Sequence, residues 1–175
     1  MGHRPARGRD PRSLRIAMVA PQSDKYSETF IRDQASDLPD EVEFLHDGFV
    51  PSASASGPPP TYRSVRVLSR LLSSATGRSA SGISRFLVHR MPSLSAEDGV
   101  EHYLEDAQID VVLAQYGPTG VSMMPICRKA GVPLVVHFHG YDAFRTDVLE
   151  RWGDGYTELF AHASAVIAVS TSMNE

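Results

Sequence analysis

The strongest constraint on the fold is an unbroken apolar run that ends in a group of polar residues. Leu134, Val135 and Val136 form the centre of a predicted strand over 133–138. Consecutive apolar residues suit a parallel strand covered on both faces, and ligands collect beyond the carboxyl ends of such strands in open α/β sheets. The residues that follow this strand's apolar run include His137, His139, Gly140 and Asp142. We therefore predict a buried parallel strand with a polar site at its end.

Apolar runs alternate with helix-sized segments along the rest of the chain. The pattern predicts strands at 14–20, 42–45, 110–114, 133–138 and 165–169, and helices at 27–38, 95–107, 119–130 and 157–163. Such alternation is typical of a parallel, doubly wound, Rossmann-like α/β sheet. We expect one domain over 14–175, preceded by a disordered basic tail over 1–13. The predicted core includes Ile16, Met18, Val112, Leu134, Val136 and Ile167.

Composition limits the class of protein. With 175 residues, of which 42% are hydrophobic, the chain is long enough to bury one full core. The net charge of -4 argues against a dedicated nucleic-acid binder. No stretch approaches the ~18 apolar residues of a membrane span, and the first fifteen residues lack the apolar core of a signal peptide. We expect a cytoplasmic protein, in which the single cysteine, Cys127, packs in the core rather than acting as a nucleophile.

A basic segment interrupts the domain. Gly48 to Ala96 contains no acidic residue, and arginines, among them Arg63, Arg66 and Arg70, recur opposite the apolar positions of two predicted amphipathic helices. Two interpretations remain open. The arginines form a solvated face of helices that pack on the sheet, or they approach a phosphate-bearing acceptor or anionic phospholipid at the inner membrane face.

Several common catalytic signatures are missing from the sequence. There is no dinucleotide fingerprint, no phosphate-binding loop of the Walker type and no nucleophile elbow of the serine hydrolases. His137 and His139 share one face of the predicted strand, so the pair could bind a metal ion. A metal-dependent hydrolase needs further ligands, which the neighbouring sequence does not supply in a recognisable pattern. This function stays an alternative.

Four motifs, each near the end of a predicted strand, occur in a specific order. They are Ser27-Glu28-Thr29-Phe30-Ile31, Gln115-Tyr116-Gly117-Pro118-Thr119-Gly120, His137-Phe138-His139-Gly140-Tyr141-Asp142 and Ala165-Val166-Ile167-Ala168-Val169-Ser170. In this order they resemble the N-terminal half of family 4 glycosyltransferases, of the exopolysaccharide and colanic-acid type. The motifs span nearly all of the predicted domain.

The resemblance implies a GT-B architecture in which this chain is the acceptor-side domain. It also implies a retaining transfer from a nucleotide-sugar to a glycan or lipid-linked acceptor, without a metal or other cofactor. The family's C-terminal donor-binding domain, with its glutamate pair, is absent from the sequence. We expect the chain to be inactive unless that domain is supplied in cis or in trans. A non-catalytic binding module with the same fold is the other open interpretation.

The resemblance also assigns site residues. His139 matches the histidine that approaches the reacting carbon of the donor sugar, and Asp142 lies in the same loop, so both are candidate catalytic residues. The candidate substrate-binding residues are Ser27, Glu28, Thr29, Gln115, Tyr116 and Gly140. Gln115 stands where many relatives have a histidine, which alters one polar contact in the cleft.

Overall fold

A computed structural model describes residues 13–22, 29–55 and 96–173, which include the sheet and the helices that flank it. The strands are β1 (Arg15–Val19), β2 (Glu41–His46), β3 (Ala53–Ser54), β4 (Val111–Gln115), β5 (Leu134–Phe138) and β6 (Ala165–Ala168). The helices are α1 (Thr29–Asp37), α2 (Ala96–Asp106), α3 (Gly117–Ala130), α4 (Gly140–Phe144) and α5 (Thr146–His162), followed by a 3₁₀ turn at Thr171–Met173. This mixed order confirms the predicted α/β class.

All six strands form one sheet with the order β3-β2-β1-β4-β5-β6. The five longer strands are parallel, as predicted, while the two-residue β3 pairs antiparallel with β2. In the central pair, Ile16 of β1 lies opposite Val111 of β4. Since β4 and β5 are neighbours and parallel, the segments that follow them leave the sheet at the same edge.

Two hydrophobic clusters cover the two faces of the sheet. Successive residues of β1 point to opposite faces, so Ile16 and Met18 belong to one cluster and Ala17 and Val19 to the other. Ile31 of α1 packs on the Met18 side. Helices α2, α3 and α5 contribute to the second cluster, which is the larger one. Helices therefore lie on both faces, as expected for a Rossmann-like sheet.

The predicted core is confirmed at Ile16, Met18, Val112, Leu134 and Val136, all of which are buried. The prediction is wrong for Ile167, whose side chain is 41% exposed. The reason is its position in the sheet. Strand β6 is an edge strand, and the described helices pack mainly against one another and the inner strands.

Helix α3 begins earlier than predicted. The segment 115–118 was expected to be a loop, but Gln115 is the last residue of β4 and Gly117 opens the helix, with Pro118 in its first turn. Proline is favoured there because the first N–H groups of a helix have no intrahelical partner. The helix continues through Pro125 and ends at Gly131, whose φ of 67° confirms the predicted glycine stop.

Helix α5 is much longer than the predicted 157–163, since it begins at Thr146. Gly153 and Gly155 lower the intrinsic helix propensity of this segment, which explains the error. Within α3, Cys127 is buried, and burial raises the pKa of its thiol to about 12. This environment confirms the expected packing role for the cysteine.

No helix in the described part of the chain is long and apolar enough to cross a bilayer. The predicted tail up to residue 12 and the basic segment with Arg63, Arg66 and Arg70 lie outside the described residues. Both predictions therefore stay untested.

The contact between α3 and the sheet has no room for an extra methyl group at Gly120. A Cβ atom there would lie 2.8 Å and 2.9 Å from the two methyl carbons of Val136 and 3.0 Å from Leu159 Cδ2. We expect Gly120→Ala to lower the free energy of unfolding by about 1–3 kcal/mol, measured by urea denaturation. Gly153→Ala is the matched control, because a Cβ atom at this helical glycine meets nothing within 4 Å. It should stabilise the protein by about 0.5–1 kcal/mol; equal effects at the two glycines would contradict this packing.

Candidate functional site

The candidate site lies where β4 and β5 end and α1 approaches them. His139 directly follows β5, and Tyr116 directly follows β4. The ring centroid of His139 is 4.6 Å from that of Tyr116, 5.1 Å from that of Phe30 in α1 and 4.3 Å from that of His137. The parallel strands thus bring segments that are distant in sequence to one point, with the imidazole of His139 at its centre.

Two glutamine amides connect this imidazole to α1. His139 Nε2 lies 2.9 Å from Gln115 Oε1, and Gln115 Nε2 donates a hydrogen bond of 2.9 Å to Gln34 Oε1. The Gln115 side chain is fully buried, and both ends of its amide are used within the protein. Gln115 therefore contacts His139 and α1 in this structure, while its role in substrate binding stays a prediction.

Asp142 joins the two strand ends through the backbone. Its Oδ1 accepts a hydrogen bond of 3.0 Å from the Gly117 N–H at the start of α3, and its Oδ2 accepts one of 2.8 Å from the His139 N–H. The carboxylate is fully buried. A negative charge at a helix N-terminus is favourable because the helix dipole is positive there. Asp142 thus holds the segments after β4 and β5 in a fixed relation.

Burial controls the charge state of the site. It lowers the pKa of His139 to about 4, with a smaller contribution from the neighbouring His137. It also lowers the pKa of His137 and raises the pKa of Asp142 to about 6, although the two backbone N–H donors oppose that rise. At neutral pH the two imidazoles are therefore uncharged and Asp142 is mostly ionised.

The backbone of Tyr116 is in an unusual conformation, with φ 74° and ψ 146°. A residue with a Cβ atom in such a region costs about 1–3 kcal/mol, and such residues cluster at functional sites. This conformation turns the chain from β4 into α3 and places the tyrosine ring against His139. The strained backbone of Tyr116 thus helps to position its ring in the site.

Four rings form what we call the aromatic rim: Phe30, Tyr116, His139 and Tyr141. Tyr141 lies edge-on to Tyr116 with the ring centroids 6.0 Å apart, and the Arg145 guanidinium lies 5.4 Å from its ring centroid. Phe30 is 41% exposed and Tyr141 is 47% exposed, whereas His139 is buried. Phe30 and Tyr141 therefore present partly exposed ring surface near the buried imidazole of His139.

Comparison with family models identifies the family of this chain. Residues 28–175 match the model of the glycosyl transferase 4-like domain. The chain belongs to this family. A comparison with the curated proteins gives no match to this glycosyl transferase 4-like domain. The family match covers most of the chain and supports the family resemblance inferred from its motifs.

The structure brings four of the predicted site residues of this glycosyl transferase 4-like domain together, namely Gln115, Tyr116, His139 and Asp142. Gly140 is adjacent, as the first residue of α4, but a Cβ atom there would meet only Phe144 at 3.7 Å, an ordinary contact. Ser27 and Glu28 lie outside the described residues, and Thr29 is described only as the first residue of α1.

Sequence reasoning did not assign Phe30 and Gln34 to the site. Both lie on α1, and residues four apart share a helix face, so a residue one turn beyond Phe30 was a candidate for the same surface. Their proximity to His139 depends on how α1 packs on the sheet. The spacing of Phe30 and Gln34 could have suggested that they share a surface, but not that this surface faces His139.

The pair His137 and His139 was also considered as a metal site. Their ring centroids are 4.3 Å apart, but the described ranges contain no cluster of three or more His, Cys, Asp or Glu side chains that could hold a metal ion. A catalytic zinc ion commonly has three protein ligands. Within these ranges the arrangement does not favour the hydrolase alternative.

Proposed function

We propose that this domain is the acceptor-side half of a retaining glycosyltransferase of the exopolysaccharide and colanic-acid type. In this proposal, a sugar passes from a nucleotide-sugar to a glycan or lipid-linked acceptor, without a metal or other cofactor. The family match supports glycosyl transfer. The observation that carries the acceptor assignment is the pair of exposed rings in the aromatic rim, Phe30 and Tyr141, near the buried, neutral His139 at the carboxyl edge of the sheet.

His139 suits a reaction in which positive charge develops on a sugar ring. An imidazolium would repel that charge, whereas a neutral imidazole can accept a hydrogen bond from a sugar hydroxyl through its unprotonated nitrogen. The low pKa of His139, about 4, keeps the ring neutral at physiological pH. We assign His139 the catalytic role of stabilising the sugar in the transition state. Asp142 supports it as a positioning residue, since both of its carboxylate oxygens are bound to backbone N–H groups.

Sugar rings pack on aromatic side chains through their apolar C–H faces, and amphipathic rings provide large contact area at low entropic cost. Phe30, which contacts His139, and Tyr141, which contacts Tyr116, both offer partly exposed rings near the site. We assign this surface to the acceptor, with Tyr116 and Gly140 beside it. Ser27, Glu28 and Thr29 are assigned to binding of the donor phosphates and the acceptor.

The domain that binds the nucleotide-sugar would be supplied in cis or in trans, and without it the chain is expected to lack transfer activity. Donor binding supplies much of the transition-state stabilisation in such a reaction. We also propose that the protein acts in the cytoplasm, where Arg63, Arg66 and Arg70 approach the anionic inner membrane face. A lipid-linked acceptor would be presented at that surface.

The acceptor assignment predicts sugar binding at Tyr141. We expect saturation-transfer NMR with cellobiose, lactose and maltose to detect weak binding of at least one disaccharide to this chain. Tyr141→Ala should weaken that binding about 2- to 10-fold, because one aromatic contact contributes about 0.5–1.5 kcal/mol beyond its buried area.

Phe144→Ala is the matched control, since Phe144 lies on the same short helix and is 67% exposed but is not part of the aromatic rim. It should leave the affinity unchanged. Absence of binding for all three disaccharides, or an equal loss in both variants, would count against an acceptor site at the rim.

A further inference from the structure

The orientation of the Gln115 amide determines which of its atoms donates and which accepts, because each end of the amide faces a different partner. Its Nε2 donates to Gln34 Oε1, so its Oε1 is the atom that faces His139 Nε2. An oxygen of a neutral amide is only an acceptor. The contact of 2.9 Å between Gln115 Oε1 and His139 Nε2 is therefore a hydrogen bond only if Nε2 carries the proton.

The charge state of the ring then determines whether the other nitrogen, Nδ1, carries a proton. Burial lowers the pKa of His139 to about 4, so the ring carries a single proton at neutral pH. With that proton on Nε2, Nδ1 has a lone pair and is a hydrogen-bond acceptor. The tautomer of the histidine thus depends on which way the buried amide of Gln115 points.

The orientation of Gln115 depends in turn on Gln34. The Gln115 side chain is fully buried, so a polar end turned toward a wrong partner would stay unsatisfied at a cost of about 1–3 kcal/mol. Gln34 lies on α1 and is half-buried, and its Oε1 accepts from Gln115 Nε2. Turning the Gln115 amide while Gln34 keeps its orientation would place Gln115 Oε1 against Gln34 Oε1 and lose this hydrogen bond.

We propose that Gln34 is a positioning residue which acts through Gln115 to hold His139 as its Nε2–H tautomer. Nδ1 is then the acceptor of the ring. The use of this acceptor in sugar transfer rests on the proposed function, but the tautomer itself does not. In this proposal Gln115 orients the ring of His139.

The test is long-range ¹H–¹⁵N NMR of the chain labelled with ¹⁵N-histidine, which distinguishes a protonated ring nitrogen from a bare one. In the wild type at pH 7.5 we expect the His139 signals of a neutral ring with the proton on Nε2, assigned by their loss in His139→Asn. Gln34→Glu should keep this pattern, because a carboxylate still accepts from Gln115 Nε2.

Gln34→Lys should reverse the pattern. An ammonium group only donates, so the Gln115 amide is expected to turn, present its NH₂ to His139 Nε2 and move the ring proton to Nδ1. Gln34→Met, which removes the acceptor without adding a charge, should give both tautomers and serves if the lysine variant does not fold. Gln108→Lys is the control for added charge, since Gln108 is exposed in the turn after α2, and it should behave like the wild type.

A wild-type ring with its proton on Nδ1 would overturn the proposal. So would an unchanged Nε2–H pattern in both Gln34→Lys and Gln34→Met. Sugar binding is not needed for any of these spectra. Failure of the disaccharide experiment with the expected tautomers would therefore reject the acceptor site alone, and the reverse result would reject only the role of Gln34.

Discussion

Val136→Asp should lower the free energy of unfolding by more than about 5 kcal/mol and leave little folded protein. Val136 lies in β5 with its side chain fully buried, in van der Waals range of Gly120 in α3. Transfer of an unpaired carboxylate to such a site costs several kcal/mol, in addition to the loss of apolar burial. Small domains are stable by only about 5–15 kcal/mol in total. Soluble yield and the urea midpoint are the measurements.

Val166→Asp provides a control with the same change of side chain. Val166 lies opposite Val136 in the β5–β6 pair, but its side chain is 44% exposed. The new carboxylate would stay hydrated, so we expect a loss of less than about 1 kcal/mol. Comparable destabilisation by the two substitutions would contradict the assignment of β6 as an exposed edge strand.

Asp142→Ala is expected to cost about 2–4 kcal/mol at neutral pH. The substitution leaves the buried N–H groups of Gly117 and His139 without their acceptor, at about 1–3 kcal/mol each, while it removes a buried charge. Asp147→Ala is the control, because Asp147 is exposed and forms an ion pair with the exposed Arg145. It should change stability by less than about 0.5 kcal/mol. Equal losses in the two variants would contradict the role of Asp142 in joining the strand ends.

The loss in Asp142→Ala should depend on pH. The pKa of Asp142 is raised from 3.8 to about 6 on folding, so the native state binds more protons than the unfolded state between these values. The resulting stabilisation is fully present below pH 3.8 and is lost as the pH rises through 6. Asp142→Ala should therefore cost more at pH 5 than at pH 7.5, as measured by urea denaturation at both values.

His139 has the opposite dependence. Its pKa falls from 6.5 to about 4 on folding, so the unfolded state binds more protons in this window and stability rises with pH there. In the wild type the two slopes oppose each other between about pH 4 and 6. The variant without Asp142 should show the rising slope of His139, and an identical loss at pH 5 and 7.5 would contradict these charge states.

Much of the fold could be predicted because runs of apolar residues and residues that end helices can be recognised in the local sequence. The run at 134–136 identified a buried strand, and Gly131 identified the end of the helix before it. Ile167 shows the limit of this reasoning. Its sequence neighbourhood is as apolar as that of Val136, and only the position of β6 at the edge of the sheet exposes it.

The composition of the site was predictable, but its internal contacts were not. Neighbouring parallel strands end at the same edge of a sheet, so the residues that follow β4 and β5 can be expected to lie close together. Tyr116 and His139 are indeed in contact. The use of Asp142 by two backbone N–H groups, and of Gln115 by Gln34, depends on side-chain packing that no spacing in the sequence records.

The place of β1 in the sheet also affects how the protein can fold during synthesis. This first strand is the central one, flanked by β2 and by β4, and Ile16 pairs with Val111, which is 95 residues later in the chain. At about 5–20 residues per second, a ribosome needs roughly 5–20 s to supply that second neighbour. Until then β1 exposes one unpaired edge and part of its apolar surface, and closing the long loop adds an entropic cost. The central pair therefore cannot form before β4 has been synthesised, and the larger hydrophobic cluster closes only after α3 and α5 have followed it.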